Sequence, residues 1–416
     1  MRIPHVTVLK HNGFGLLAAS ALLSRFGDII AGLGFVYLAY RMTGSQSATT
    51  GVALAEVIPY LLFGLLGGII SDSLPKLRVM QAANWYRAGL EFIAVILLLT
   101  HSMPYLGVVI IPFFIQLGGV VYNPCSRAAV VAIVDKDQRV AANSVMSMIE
   151  NLTAIIAPLL ASSLLLFGDV LWLFFLLDAL TFVIGALLLR RLGRITTGVD
   201  VVTTSDTEES TSVVPLAWRR ITLFWGDVAT SRTLILLFVS TFFAVFCGKW
   251  AWQMGVLFIS LPHPQDSTWF YSTMLATYAL AGIIASLTLP TIITQLTLRH
   301  YRLAVIVWSL GFLIIGLAPH KAVVALGVIV LGIGVSVASQ SRAFLLQHHV
   351  PRWAIGQGFA AAAVLLYLAD FLSLSIFGGV NTAIGVRPTV ILCGAAMLCS
   401  LPLAALIGRA ITTKVR

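Results

Sequence analysis

The sequence predicts an all-α membrane protein of twelve transmembrane helices in two six-helix bundles, and three observations carry that prediction. Composition is the first: of 416 residues, 59% are apolar and 10% charged, with a mean hydropathy of +0.98. A water-soluble chain typically has about 25% charged residues, so the surplus apolar surface here faces lipid. The second is a series of twelve apolar runs, each near the roughly 20 residues that cross a bilayer as a helix. The third is an echo between the halves: Ser126-Arg127-Ala128 ends the fourth run and Ser341-Arg342-Ala343 ends the tenth. Its placement at equivalent points suggests a duplicated six-plus-six arrangement.

This composition excludes a secreted or cytosolic globule, a disordered chain and an outer-membrane barrel with its short alternating strands. The formal net charge of +10 is therefore no nucleic-acid footprint. Cys125, Cys247, Cys393 and Cys399 lie in or beside apolar runs with no CxxC pair, which leaves neither a disulfide framework nor a zinc site.

The first span, 14–40, is too long for a leader and carries Arg25 and Asp28 one helical turn apart, so it reads as a retained helix. Span 2, 48–70, holds Glu56 one turn before Pro59, where the acid could support a kink. Span 3, 79–100, places Arg87 and Glu91 one turn apart, a spacing that predicts a structural ion pair. Span 4 runs 105–126. Span 5, 141–166, brings Glu150 and Asn151 to mid-membrane, and span 6, 171–190, carries Asp178 in a structural setting.

Between the halves, 193–233 begins as a polar, acidic linker that includes TTSDTEESTS at 203–212. It continues into Pro215–Asp227, where Trp218, Ile221 and Trp225 at helical spacing beside Arg219 and Arg220 predict a helix on the inner membrane surface. Span 7, 234–260, sets Lys249 among Trp250, Trp252 and Gln253, a cation among aromatic groups that suits an anionic or amphiphilic ligand. Spans 8 to 10 run 267–292, 301–318 and 322–342. Span 11, 355–379, holds Asp370, and span 12 runs 388–408. The domain expectation is thus 1–192, a linker at 193–233, and 234–416.

Of the 26 basic residues, all but six fall on one side if both termini are cytoplasmic. Arg41, Lys321 and Arg387 are the outside exceptions, and Arg25, Arg87 and Lys249 lie within spans. The positive-inside rule therefore places both termini in the cytoplasm.

Charges inside a bilayer cost about 2.5–3.5 kcal/mol even on permissive scales and default to functional hypotheses. Six acids and three bases lie within the spans. A carboxyl left without a cation tends to hold a proton, which makes Asp28, Glu150, Asp370 and Glu56 the proton-coupling candidates. Arg25, Lys249, Trp250, Trp252, Gln253 and Asn151 are the substrate-binding candidates. No histidine sits mid-span and no catalytic dyad is evident, so an enzyme is not expected. Nor does a Walker A loop occur.

The segments SRFGDIIAGLGFVYLAYRMTGS (24–45), AEVIPYLLFGLLGGIISD (55–72), YNPCSRAAVVAIV (122–134), AANSVMSMIENLTAIIAP (141–158), LLDALTFVIGALLLRRL (176–192) and LLQHHVPRWAIGQGFA (345–360) resemble the major facilitator superfamily. The resemblance is to its drug:proton antiporter family 3 branch of macrolide-efflux and enterobactin-exporter proteins, with lysophospholipid transporters as a related branch. It runs through nearly the whole chain and implies the major facilitator fold.

The family's loop between spans 2 and 3 is matched here by Gly68, Asp72, Lys76 and Arg78. Ser73 stands where a basic residue is usual and Pro75 where a glycine is usual. The resemblance implies a gating role for this loop, with a weaker latch. In span 5, Ala157-Pro158 and Ala161-Ser162 replace the branch's Gly-Pro and Gly-Gly.

The resemblance implies a multi-pass transporter of a bacterial-type inner membrane, monomeric and without a cofactor. It would export an amphiphilic drug-like compound or siderophore in exchange for protons, by alternating access. A lysophospholipid flippase, or an importer of an anionic small molecule or siderophore, is the alternative.

Overall fold

The computed structural model describes residues 4–10, 13–44, 46–165, 170–196, 213–256, 259 and 267–414. Among the described residues, twelve helices are long and apolar enough to cross a membrane and no strand occurs. They are α1 (Phe14–Thr43), α2 (Gln46–Ser73), α3 (Lys76–Leu99), α4 (Tyr105–Ile133), α5 (Arg139–Leu165), α6 (Leu171–Ile195), α7 (Arg232–Trp250), α8 (Ser267–Ile292), α9 (Leu298–Leu317), α10 (Lys321–His349), α11 (Ile355–Ile384) and α12 (Val386–Lys414). The order and number agree with the apolar runs of the sequence.

The ends of α4 and α10 lie beyond the sequence reading for a physical reason. The sequence reading ends span 4 at Ser126 and span 10 at Arg342. Both helices continue, to Ile133 and His349, because the extra turns still bury apolar side chains: Ala128, Ala129, Val130 and Ile133 on α4, and Ala343, Phe344, Leu345 and Leu346 on α10. Hydropathy locates the bilayer boundary, whereas packing decides where a helix ends.

Span 7 also departs from a plain helix. After Trp250 the backbone widens into a π-helical turn, Ala251–Gly255, in which the Val256 N–H reaches back to the Ala251 carbonyl. Such turns displace the ladder by one residue and are frequent at functional sites. The linker helix forms over Val213–Thr230, longer than expected. It leads directly into α7 through Ser231, whose hydroxyl accepts the Leu234 N–H at 3.4 Å. Phe224 is buried while Leu223 and Trp225 are exposed. The acidic stretch 203–212 lies outside the described residues.

The chain divides into two compact units. The first comprises Met1–Ala142, Leu152–Ile221 and Pro351–Val364. Here α3 and α1 pack on α6, and α2 and α3 pack on α4. Ile30, Phe35, Leu38, Val108, Ile115, Phe174 and Phe175 form one apolar core, with the Phe35 and Phe175 rings 4.4 Å apart.

The second unit comprises Asn143–Asn151, Thr222–Val350 and Leu365–Arg416. In it α9 and α7 pack on α12, and α8 and α9 pack on α10. Each pairing repeats one of the first unit six helices later, so the echo at Arg127 and Arg342 belongs to a repeated packing scheme.

Candidate functional site

In the first unit Asp28 of α1, Arg87 and Glu91 of α3 and Asp178 of α6 gather into one largely buried polar cluster. Arg87 on α3 is 1% exposed, and its guanidinium donates Nη2 to the Asp28 carboxylate of α1. Nη1 donates to Ser24 Oγ at 3.2 Å, and the cation lies 4.0 Å above the Phe182 ring. Breaking a buried ion pair from one side leaves an uncompensated charge, so the two residues depend on each other.

This corrects the pairing read from spacing. Arg87 and Glu91 are one turn apart, yet Arg87 pairs with Asp28, and both Glu91 carboxyl oxygens lack a hydrogen-bond donor. Glu91 and Asp178 are fully buried. Thr181 Oγ1 donates to Asp178 Oδ1 at 3.1 Å, while Asp178 Oδ2 has no donor. Gly27 on α1 makes room for this acid, since a Cβ there would overlap Asp178 Oδ1.

Arg25 is exposed and Asp28 half-buried. The Glu56 carboxylate lies over α1 at Gly32, with Oε1 3.1 Å from where a Cβ would stand. Among the described residues, Glu56 makes no hydrogen bond or ion pair.

The loop residues assemble a second feature of the first unit. Asp72, at the end of α2, accepts the Gly356 N–H at 2.6 Å and the Gln357 N–H at 2.9 Å. These are free first-turn donors of α11, where a carboxylate also meets the positive end of the helix dipole. Gly68 permits the approach, because a Cβ there would come within 2.7 Å of the Gln357 Cα. Lys76 is half-buried and Arg78 exposed.

In the second unit Lys249 donates Nζ to Asp370 Oδ2 at 2.8 Å, and both side chains are partly open, at 35% and 26% exposure. A cation placed among the ligand contacts and a carboxyl placed among the proton groups are therefore one ion pair. The next residue, Trp250, is buried and donates its backbone N–H to Ser373 Oγ at 3.0 Å. Trp252, on the π turn, is half-buried and lies 4.2 Å from the Tyr278 ring. Phe246 packs on Phe377 at 5.3 Å. The Gln253 side chain lies outside the described residues.

Asn151 Nδ2 reaches Ser336 Oγ at 3.5 Å, and Glu150 lies near Tyr278. From there a buried polar seam runs along α5 and α10. Ser147 meets Ser336 at 3.2 Å, Ser144 donates to Gln340, and Asn143 and Gln347 exchange two amide hydrogen bonds at 2.9 and 3.1 Å. The sequence reading missed Tyr278, Ser336, Gln340 and Gln347. The available signal was a run of hydroxyl and amide side chains inside apolar helices, which serve as interhelical glue. Among the described residues, no group of three His, Cys, Asp or Glu side chains could hold a metal ion.

Known proteins share this arrangement of helices. The model of the Major Facilitator Superfamily matches residues 17–374. A curated relative, the uncharacterized MFS-type transporter YkuC of Bacillus subtilis (strain 168), is 24% identical over 188 residues, which is 44% of this chain and 42% of that one. The chain thus aligns with less than half the length of that relative.

Among solved structures, a bacterial homologue of the iron transporter ferroportin superposes with a TM-score of 0.73 at 15% identity, covering 96% of this chain and 99% of the other. The human organic anion transporter MFSD10 (TETRAN) gives 0.69 at 13%, covering 94% and 99%. The E. coli fucose:proton symporter FucP gives 0.67 at 14%, covering 94% and 98%. At such identities the likeness is one of fold.

Proposed function

The chain belongs to the Major Facilitator Superfamily and is a membrane transporter of that type, and we propose that it expels an amphiphilic small molecule in exchange for protons. The observation that carries this reading is Glu56. It is a half-buried carboxyl inside a span, beside Asp28, with no hydrogen bond or ion pair among the described residues. Asp28 already has the Arg87 guanidinium. A lone carboxyl in a low-dielectric site takes either a proton or a cationic or hydrogen-bond-donating group of a ligand. Exclusive occupancy of one site by two ligands is the requirement for exchange.

Alternating access needs contacts that hold one side shut and can be released. The loop between α2 and α3, with Gly68, Asp72, Lys76 and Arg78, is the candidate for that part. That loop lies on the side of both termini when all twelve helices cross. The excess of basic residues on that side supports a cytoplasmic assignment, in a bacterial-type inner membrane. The chain acts as a monomer in this reading.

The test uses purified protein in liposomes with an imposed pH gradient and a fluorescent amphiphilic cation as probe. Wild type accumulates or expels the dye only with the gradient, and Glu56→Gln loses gradient-driven movement, binds the dye more weakly and loses the pH dependence of that binding. Wild-type transport by Glu56→Gln would overturn the reading.

A second reading has its own observation. The Lys249–Asp370 pair is partly open, and Lys249 directly precedes the buried Trp250 on α7. A carboxylate or phosphate could take Lys249 from Asp370, and Asp370 would then need a proton. Anion and proton would bind together, which fits uptake of an organic anion or movement of a lysophospholipid headgroup. The fold shared with an organic anion transporter is compatible with it. Dye-cation exchange and anion-plus-proton uptake have opposite responses to a reversed pH gradient.

A further inference from the structure

The charges buried behind α1 do not balance. Glu91 on α3 and Asp178 on α6 are both 0% exposed, and each lies within hydrogen-bonding reach of the other's carboxyl group. The cation nearest to them, Arg87, is engaged by Asp28 and Ser24, and its Nε has no partner. As two carboxylates, Glu91 and Asp178 have no proton to offer each other, and three of their four oxygens lack a donor. One proton removes the conflict by turning either acid into a donor toward the other. Two ionised acids side by side with the Thr181 hydroxyl as their one donor would be prohibitively unstable in this environment.

A second feature of the site is independent of the acids. Asn84 is 0% exposed and neither its amide nitrogen nor its amide oxygen has a partner. It sits on the Arg87 face of α3, its amide nitrogen 2.9 Å from where a Cβ would stand at Gly185 of α6. Asn84, Arg87 and Glu91, at positions i, i+3 and i+7, thus form one polar edge with spare hydrogen-bonding capacity. The other charged or titratable groups around it are Arg25 and Asp28 on α1, Glu56 on α2 and Tyr122 on α4, whose hydroxyl meets Ser20 Oγ at 3.1 Å.

We infer that Glu91 and Asp178 form a buried proton-binding site that exchanges its proton with Asp28 through a swing of Arg87. In one state the acids share a proton and Arg87 pairs with ionised Asp28. In the other, Arg87 pairs with the acids, now both ionised, and the proton resides on Asp28. One proton and one guanidinium trade places, no charge is created, and no other reactant is needed. Arg87 can serve both positions because it lies one turn from Glu91 on the same helix. The exchange carries a proton from a site closed to water to Asp28, whose side chain is 20% exposed. This rests on the proton-coupled reading above and adds a store behind the exposed carboxyls.

The experiment is infrared spectroscopy of the purified full-length protein at neutral pH, recording the C=O stretch of protonated carboxyl groups. Wild type is expected to show a component that is lost in Glu91→Gln and lost in Asp178→Asn. Both substitutions keep side-chain shape, and each new amide can donate to the remaining carboxylate. The component is also expected to be lost in Asp28→Asn, because Arg87 then has no carboxylate on α1 and turns to the acids. A purely structural proton would survive that last change. Persistence of the component in Glu91→Gln or Asp178→Asn, or in Asp28→Asn, overturns the inference.

Gradient-driven dye transport by wild type is measured in parallel. If the three losses occur and no gradient drives transport, the proposed function falls and the proton site stands. If transport is gradient-driven and the component is unchanged, this inference alone falls.

Discussion

The Asp72 carboxylate at the end of α2 accepts the backbone N–H of Gly356, in the first turn of α11, at 2.6 Å. A side chain 284 positions earlier in the chain therefore caps the start of a transmembrane helix. The same carboxylate takes the Gln357 N–H. Residues 356 and 357 belong to the same compact unit as Asp72, so the cap is part of that unit's internal packing.

Removing this cap should loosen the contact without unfolding the helices. Loss of an N-cap carboxylate costs about 0.5–2 kcal/mol, a several-fold shift in an opening equilibrium. Cys125 is a built-in reporter, because it is fully buried and neighbours Ser71. Maleimide labelling of Cys125, followed by peptide mass spectrometry, should be several-fold faster in Asp72→Ala than in wild type. Equal rates would mean that the cap does not restrain this region.

Arg87 and Asp28 should behave as a unit. Arg87→Met leaves the Asp28 carboxylate without its cation, a change that costs roughly 3–5 kcal/mol for a buried pair, less here because Asp28 is partly open. Adding Asp28→Asn should recover a substantial part of the lost thermal stability. Melting of the two single variants and the double variant in detergent gives the coupling directly. Additive losses would contradict the pairing.

The reciprocal amides Asn143 and Gln347 predict a similar asymmetry. Asn143→Leu strands the buried Gln347 amide at a cost of about 1–3 kcal/mol. Asn143→Leu combined with Gln347→Leu should be closer to wild type than either single change. A double variant as unstable as the sum of the singles would show that the hydrogen bonds are incidental to the packing.

Lys249 and Asp370 separate the two functional readings. If Lys249 receives an anionic group, Lys249→Gln should weaken binding of an anionic amphiphile by roughly tenfold, about 1.4 kcal/mol, and leave its uncharged analogue unchanged. Asp370→Asn should strengthen the same anion by freeing the lysine. Titration of tryptophan fluorescence, with Trp252 nearby, measures both. Equal losses for charged and uncharged ligands would assign the pair to structure.

Much of the candidate site was legible as residue type, and little of it as partnership. Asp28, Glu56, Lys249 and Asp370 stood out because each is a charge in an apolar run, a property of the local sequence. Their partners did not. Glu91 was the natural mate of Arg87 by spacing along α3, but the guanidinium turns across to α1, where Ser24, Asp28 and the Phe182 face receive it together. Glu91 and Asp178 lie on two helices whose shared face no periodicity in either sequence reveals. The seam from Asn143 to Gln347 was hidden for the same reason, since its members are scattered over distant segments and each is ordinary alone.

Twelve long apolar helices, and their order along the chain, were already set by the order of the amino acids. So was the loop motif that marks the family. Those properties are sums of hydropathy and charge over consecutive residues, and a bilayer reads them segment by segment. Which charges meet, which carboxyls are left without a donor, and where α4 and α10 end came only with the packed helices. A helix face acquires its partner when helices pack, and the balance of buried charge is a property of that packed group rather than of any segment in it.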